Sequence, residues 1–267
     1  MTKYFKSLWD YFKQRTKSNI FLFILLALYF AGCIASCVYC IVIHRYRDIA
    51  VALIFALLVP VFYIGERNLK IQIPTPTAVA IILLCIGSFI GACFNFYTIF
   101  KHLDDVLHAM WGVGFTIIGF TLIKVALGEP DTKKKFFMYL LFGFAFCLMI
   151  AVLWEIYEFI ADRISPNLDM QEDTIINSIH SFLLYPGYDH LHTEIIEGIA
   201  YTVLYDADGN VLYTIDGGYL DIGIMDTMFD IVWCTGIAVL VCVFLAVDRL
   251  TGSNLYRFII PKSTADQ

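Results

Sequence analysis

IFLFILLALYFAGCIASCVYCIVI, residues 20–43, decides the class of fold because it contains no charged side chain. A helix needs about 20 apolar residues to cross the hydrocarbon core of a bilayer. This run exceeds that length, and it is too long for the apolar core of a cleavable signal peptide. It therefore predicts a membrane-spanning helix near the N-terminus.

The rest of the chain has a similar composition. Hydrophobic residues make up 60% of the 267 residues and charged residues 16%, against about 25% charged residues in a typical soluble domain, and the mean hydropathy is +0.74. We therefore predict an all-α, polytopic membrane bundle of about six spans. The apolar runs of spanning or nearly spanning length lie at about 20–43, 48–65, 77–100, 103–127, 136–161 and 219–247. The second run is the weakest, since it is short and contains Pro60.

Basic residues predict the orientation of these spans, because Lys and Arg are enriched in cytoplasmic segments. With the N-terminus inside, only four of the 18 Lys and Arg residues fall outside, namely Arg45, Arg47, Lys101 and Arg163. Both termini are therefore predicted to be cytoplasmic. The resulting parts are a cytoplasmic amphipathic segment (1–19), spans one to five (20–161), an extracytoplasmic loop (162–218), span six (219–247) and a cytoplasmic tail (248–267).

Three local patterns refine this plan. Residues 3–13 mix lysines with aromatic side chains, which suits either a helix lying among lipid headgroups or a simple flanking anchor. In the outer loop, residues 201–215 (YTVLYDADGNVLYTI) predict a β-hairpin. The apolar patch at 179–185 predicts a short helix on the membrane surface.

All eight cysteines lie within apolar runs, and none lies in the polar loops where a secreted disulfide framework is expected. We interpret them as small packing residues. A metal or redox role is the alternative.

Ionisable residues inside three of the apolar runs are the main functional signal. A charge in a membrane helix costs about 3 kcal/mol on insertion scales, so such residues indicate a functional site by default. Three groups stand out: Asp104, Asp105 and His108; Glu155, Glu158 and Asp162; and Asp226 and Asp230.

The spacing of these residues predicts that they meet. Residues three, four or seven apart share a helix face, so each run presents one polar stripe. With 1.5 Å per residue, His108, Glu155 and Asp226 each lie about 9–10 Å below the predicted outer boundary, with Asp230 about one turn deeper. We therefore expect spans four, five and six to be neighbours, with His108, Glu155 and Asp226 facing a common cavity.

Seven carboxylates with one histidine form an excess of negative charge that a low-dielectric layer does not tolerate. A divalent cation such as Zn²⁺, Mn²⁺, Mg²⁺ or Fe²⁺ would resolve it. We predict four metal ligands, Asp104, His108, Glu155 and Asp226, with Glu158 and Asp230 as catalytic carboxylates. His180, His190 and His192 could add ligands from the loop.

A bound cation is not the sole way to accommodate these acids. Protonation would also remove the charge. Asp105 and Asp162, near helix ends, would simply face water, and the remaining acids would serve as hydrogen-bonding contacts between helices.

The strings HLDDVLHAMWGVG (102–114), LWEIYEFIAD (153–162) and DIGIMDTMFDIVWCTGIAV (221–239) resemble the YjdF-like bacterial membrane proteins, a family of unknown function. More distantly they resemble the VanZ-like family, tied to glycopeptide resistance. The shared pattern is Asp-x3-His opening one helix, Glu late in the next, and Asp-x3-Asn or Asp-x3-Asp opening a later one. The resemblance implies a multi-pass protein of the bacterial cytoplasmic membrane.

Three functions fit these features. The first is a metal-dependent membrane hydrolase or transferase that acts on a lipid or envelope precursor in the outer leaflet. The second is a proton- or cation-coupled transporter, and the third is a non-catalytic protein that binds an envelope ligand. The sequence contains no G-x-S-x-G motif and no phosphate-binding loop, and nothing in it indicates nucleic acid as a partner.

Overall fold

The computed structural model describes residues 2–94, 96–164, 170–187 and 191–264. The helices are α1 (Thr2–Ser18), α2 (Ile20–Val42), α3 (Tyr46–Asn68), α4 (Thr75–Phe94), α5 (Phe96–Ile99), α6 (Leu103–Leu127), α7 (Lys133–Ile164) and α8 (Ile224–Thr251), followed by a 3-10 turn at Leu255–Phe258. The strands are β1 (Ile71–Gln72), β2 (Ile175–Ile176), β3 (Ile179–Ser181), β4 (Glu194–Ile196), β5 (Tyr201–Tyr205), β6 (Val211–Asp216), β7 (Tyr219–Leu220) and β8 (Lys262–Ser263).

The helical membrane fold predicted from the sequence is confirmed. Among the described residues, α2, α6, α7 and α8 are long and apolar enough to cross a bilayer. Helix α4 contains a shorter apolar segment, Thr75–Gly91. The total of about six spans stays a prediction, since it also requires α3 and α4 to cross.

The chain divides into two compact units. The first consists of Met1–Ala151 and Asp230–Gln267, and the second of Val152–Phe229. Helices α7 and α8 contribute residues to both units.

In the first unit, α2, α3 and α4 pack around an apolar core. Leu22, Leu26 and Tyr29 of α2 are buried with Phe89 of α4. The Tyr29 hydroxyl donates a hydrogen bond to the carbonyl oxygen of Phe55 (2.9 Å), so that its one polar atom is satisfied inside the core.

Glycines allow α6 to approach α7 and α8 closely within the first unit. A Cβ atom at Gly112 of α6 would collide with the carbonyl oxygen of Cys234 of α8. A Cβ at Gly143 of α7 would lie only 2.7 Å from the carbonyl oxygen of Thr116. Small residues at such contacts let membrane helices pack backbone against backbone.

Segments predicted to be cytoplasmic meet at one end of the first unit. Arg15 of α1 donates to the carbonyl oxygen of Ile73, just before α4 (2.6 Å). At the last turn of α6, Lys124 donates to the carbonyl oxygen of Pro261 (3.1 Å). Strands β1 and β8 pair antiparallel. We call this region, formed by α1, the paired strands β1 and β8 and the last turn of α6, the basic end. Spans that alternate in direction place these segments on the same side of the membrane. Which side that is stays a prediction.

In the second unit, β5 and β6 form the hairpin predicted at 201–215. The Asp206 carboxylate organises its turn: it accepts hydrogen bonds from the Asn210 side chain (2.9 Å) and from the backbone N–H groups of Asn210 (2.7 Å) and Asp208 (2.9 Å). The hydrogen bond from the Asn210 side chain, followed by those from the backbone, holds the pKa of Asp206 below its usual value.

The prediction of a short surface helix at 179–185 is wrong. Residues Ile179–Ser181 form β3, which pairs antiparallel with β4, and a turn follows. The partner strand lies more than ten residues further along the chain, so local hydrophobicity does not reveal it.

The last long helix begins at Ile224 rather than at 219. Residues Tyr219–Leu220 form β7, paired with β2. Gly218 has a φ of 152° and a Cβ there would strike the Ile176 carbonyl oxygen, while Gly223 has a φ of 77°. Such backbone conformations favour glycine and interrupt a helix before it can start.

Candidate metal centre

Helix α6 presents Asp104 and His108 on one face, as their spacing predicts. Asp104 lies in the first turn of α6, where a carboxylate is favourable near the positive end of the helix dipole. Its Oδ2 atom lies 3.9 Å from Nε2 of His108, which is buried.

Helix α8 brings Asp230 next to the same imidazole. The Oδ1 atom of Asp230 lies 3.7 Å from Nδ1 of His108, and the Asp230 side chain is only 2% exposed. One ligand atom from each of Asp104, His108 and Asp230 can be chosen so that all lie within 4.8 Å of one another. We call these three residues the acid–His cluster; they are able to hold a metal ion.

The packing of α6 fixes the cluster within the first unit. One turn beyond His108, Gly112 meets the backbone of Cys234, which itself is one turn beyond Asp230. On the opposite side Leu107 fits against Gly87 of α4, where a Cβ would lie 2.7 Å from a Leu107 methyl group. The cluster thus lies one helical turn from a backbone contact between α6 and α8.

Helix boundaries explain why Asp230 is the partner of His108. His108 lies about 8 Å along α6 from its first residue, and Asp230 lies about 9 Å along α8. Asp226 lies only about 3 Å from the start of α8, because that helix begins later than the sequence predicts.

The α7 acids belong to the second unit. Glu155 and Glu158 are buried, at 4% and 8% exposure. Glu158 accepts a hydrogen bond from the indole N–H of Trp154 (2.8 Å). Buried carboxylates in an apolar helix are consistent with a functional role, and their assignments as ligand and catalytic carboxylate stay predictions.

Other acids of the second unit hold the backbone of the loop that follows α7. Asp226 accepts from the N–H of Glu172 (2.9 Å), and its role as a metal ligand stays a prediction. Asp162 accepts from the N–H groups of Met170 (2.8 Å) and Gln171 (3.0 Å), so it does more than face water.

The sequence interpretation missed Asp221. It is buried and accepts from the N–H groups of Thr174 (2.8 Å) and Met225 (2.7 Å). Its position just before α8 is the signal that could have identified it, because Asp is favoured where the first N–H groups of a helix need acceptors.

The remaining candidates are peripheral. Asp105 pairs with the exposed His102 (2.9 Å). His180 is exposed on β3, and the His192 ring stacks on Tyr185 at 4.9 Å between centroids. His190 lies outside the described residues.

The apolar helices and the buried polar cluster define an integral membrane protein of the helical class. The chain belongs to the family described as predicted membrane protein (DUF2238), whose sequence model matches residues 21–180. The matched part includes Asp104 and His108, whereas Asp230 lies beyond it. Membership of a membrane family is thus confirmed, and the more distant resemblance to VanZ-like proteins stays a prediction. No curated protein and no solved structure matches the chain.

Proposed function

We propose that the acid–His cluster binds a divalent cation, and that the protein is a metal-dependent membrane enzyme acting on a lipid or envelope precursor at the predicted outer face. The observation that carries this proposal is the convergence of Asp104, His108 and Asp230 from two helices, with ligand atoms within 4.8 Å of one another. His108 and Asp230 are both buried.

Charge balance supports a cation. Burying a carboxylate in an apolar span is costly unless the charge is compensated, and the cluster contains two carboxylates beside one imidazole. Nitrogen and oxygen ligands suit Zn²⁺, Mn²⁺, Mg²⁺ or Fe²⁺. Three protein ligands leave positions for water and substrate, as in catalytic metal sites.

The chemistry of such a centre suits hydrolysis or group transfer. A bound metal would polarise a phosphoryl or acyl oxygen or activate a water molecule. A carboxylate that does not coordinate the metal would act as general base.

Elemental analysis of detergent-purified protein tests the proposal. We expect a stoichiometric divalent metal in the wild-type protein, and its loss in His108→Ala and Asp230→Asn with helical content retained. His102→Ala is the matched control, since His102 is 88% exposed in its side chain and lies outside the cluster. Acid should release the metal, because the ligands must be deprotonated. The proposal would be contradicted if the purified wild-type protein contained no metal and its melting temperature did not change on addition of a chelator.

A second function is favoured by one detail of the geometry. The two ring nitrogens of His108 face different carboxylates, Asp104 at 3.9 Å and Asp230 at 3.7 Å. A neutral imidazole donates with one nitrogen and accepts with the other, so an approach of each carboxylate from these distances to hydrogen-bond distance would let a proton pass along the cluster. Proton flux into liposomes, abolished by His108→Ala and insensitive to chelator, would support this transporter function over the enzyme.

A further inference from the structure

Cys147 of α7 and Cys234 of α8 bring two thiols into direct contact within the first unit. Their Sγ atoms lie 3.4 Å apart, and the two residues are 0% and 2% exposed. Cys147 lies about 21 Å along α7 and Cys234 about 15 Å along α8. Both helices are long and apolar enough to span the bilayer. The pair therefore lies inside the helix bundle, away from the ends of both helices, and neither thiol belongs to the acid–His cluster.

Packing alone does not require thiols at this contact. Ala151 of α7 and Ala238 of α8 are buried in the same cluster as the two cysteines, so small apolar side chains already serve this interface. About two turns further along α8, Cys242 donates to the carbonyl oxygen of Leu140 of α7 (3.7 Å). Helices α7 and α8 thus run antiparallel in contact. A thiol facing a thiol adds what alanine lacks, the ability to form a covalent bond between the helices.

The hydrogen bonds of the pair distinguish the two sulfurs. Cys147 donates to the carbonyl oxygen of Gly112 over 3.7 Å. With the Cys147 proton directed at Gly112, the hydrogen between the two sulfurs belongs to Cys234, and Cys147 accepts it. Loss of the Cys147 proton would therefore leave a thiolate that still accepts a hydrogen bond. This arrangement assigns Cys147 as the attacking sulfur and Cys234 as the sulfur that resolves the product.

We infer that Cys147 and Cys234 form a reversible disulfide when hydrogen peroxide enters the membrane interior. The Cys147 sulfur attacks one peroxide oxygen and the O–O bond breaks. The departing hydroxide takes the thiol proton, which leaves water and a sulfenic acid at Cys147. The Cys234 sulfur then attacks the Cys147 sulfur, the S–O bond breaks, and the second hydroxide takes the Cys234 proton. Two thiols and one peroxide thus give one disulfide and two waters, and a dithiol reductant reverses the reaction by exchange.

The position of the pair selects a small and neutral oxidant. Charged molecules pay a high cost to enter the hydrocarbon layer, so a charged disulfide such as oxidised glutathione would not reach the thiols. A disulfide bond is about 2.05 Å long, so the sulfurs must approach by about 1.4 Å. Side-chain rotation is the movement required, because the Cys234 backbone is held against Gly112. The crosslink would fix α7 to α8 one turn from Asp230.

Thiol counting in the full chain tests the inference. The reduced protein is reconstituted in phospholipid vesicles and treated with hydrogen peroxide or with oxidised glutathione. Free thiols are then alkylated and counted after unfolding. We expect peroxide to remove two of the eight thiols, peptide mass spectrometry to identify a crosslink between Cys147 and Cys234, and a dithiol reductant to restore all eight. Oxidised glutathione should remove none.

Cys242→Ala is the matched control, because Cys242 lies on the same helix and donates to a carbonyl oxygen of α7. This variant should still lose two thiols to peroxide. Cys234→Ala should stop at the sulfenic acid, which dimedone traps at Cys147, whereas Cys147→Ala should keep all its thiols.

Four results would each overturn the inference: retention of all eight thiols, disulfides among other cysteines instead, dimedone labelling of Cys234 in Cys147→Ala, or equal crosslinking in protein unfolded before oxidation. Equal loss of thiols with oxidised glutathione would overturn the assignment of a small neutral oxidant. The metal content of the protein does not enter this test, so its outcome is independent of the proposed function.

Discussion

Gly112 of α6 lies against the carbonyl oxygen of Cys234 of α8, one helical turn from both His108 and Asp230. The absence of a side chain at Gly112 lets α6 and α8 approach closely, and this approach sets the distance between the His108 imidazole and the Asp230 carboxylate. A methyl group at this point must push two backbones apart, because the atom that it meets belongs to the main chain and cannot rotate away.

Gly112→Ala should consequently destabilise the protein by about 1–3 kcal/mol, the usual cost of overpacking, and should lower its metal content. Gly114→Ala is the control on the same helix, since a Cβ there meets nothing within 4 Å. It should be neutral or stabilising, because Ala exceeds Gly in helix propensity by up to about 1 kcal/mol. Thermal melts and elemental analysis measure both effects; equal behaviour of the two variants would contradict the close contact.

The buried ion pair at the basic end gives a second prediction. Arg15 Nη2 lies 3.3 Å from Glu66 Oε1, and the Glu66 side chain is fully buried. Tyr11 donates a further hydrogen bond to the same carboxylate (3.1 Å). Arg15→Ala would leave this carboxylate without its cation, and we expect a loss of about 3–5 kcal/mol in the free energy of unfolding.

Arg67→Ala is the comparison for this pair, because Arg67 makes exposed hydrogen bonds to Ser7 (2.9 Å) and Asn68 (3.1 Å). Its loss should cost about 1 kcal/mol or less, as for surface contacts generally. The double variant Arg15→Met with Glu66→Leu should recover most of the stability lost in Arg15→Ala. Failure of that recovery would indicate that α1 is held mainly by other contacts.

The hairpin turn should respond to acid. Hydrogen bonds to its carboxylate keep the pKa of Asp206 in the folded turn below its ordinary value, which is about 3.9 in an unfolded chain. The stabilisation is therefore complete above that ordinary value and is lost as the pH falls through the lower, folded-state pKa. NMR titration of labelled aspartates should show this shift, and Asp206→Ala should disorder the turn at neutral pH. Asp208→Ala should not, since Asp208 contributes its backbone N–H.

Topology can be measured directly. Cysteines introduced at Asn210 and Lys134, in a background without the native cysteines, should be labelled from opposite sides of the membrane. An impermeant reagent added to intact cells should react at position 210 alone, because the basic residues are predicted to lie inside. Reaction at both positions would contradict the predicted topology.

Local patterns predicted much of this fold. The bounds of α6 followed from its apolar run, the hairpin followed from its turn residues, and the four-residue spacing placed Asp104 beside His108. The start of α8 did not follow, because it depends on the pairing of β7 with a distant strand, β2. That shift moved Asp226 into the first turn and left Asp230 level with His108. Sequence spacing fixes which residues share a helix face, whereas helix boundaries set by long-range pairing decide which faces meet.

The pairing of β1 with β8 has a consequence for biosynthesis. Gln72 pairs with Lys262 and Ile71 with Ser263, and the Thr264 N–H donates to the carbonyl oxygen of Lys70 (2.7 Å). The segment between α3 and α4 therefore has no partner strand until residues 262–264 have left the ribosome. The contacts of Arg15 with Glu66 and Ile73 can form early in synthesis, whereas the pairing of β1 with β8 can form only after α8 has been made.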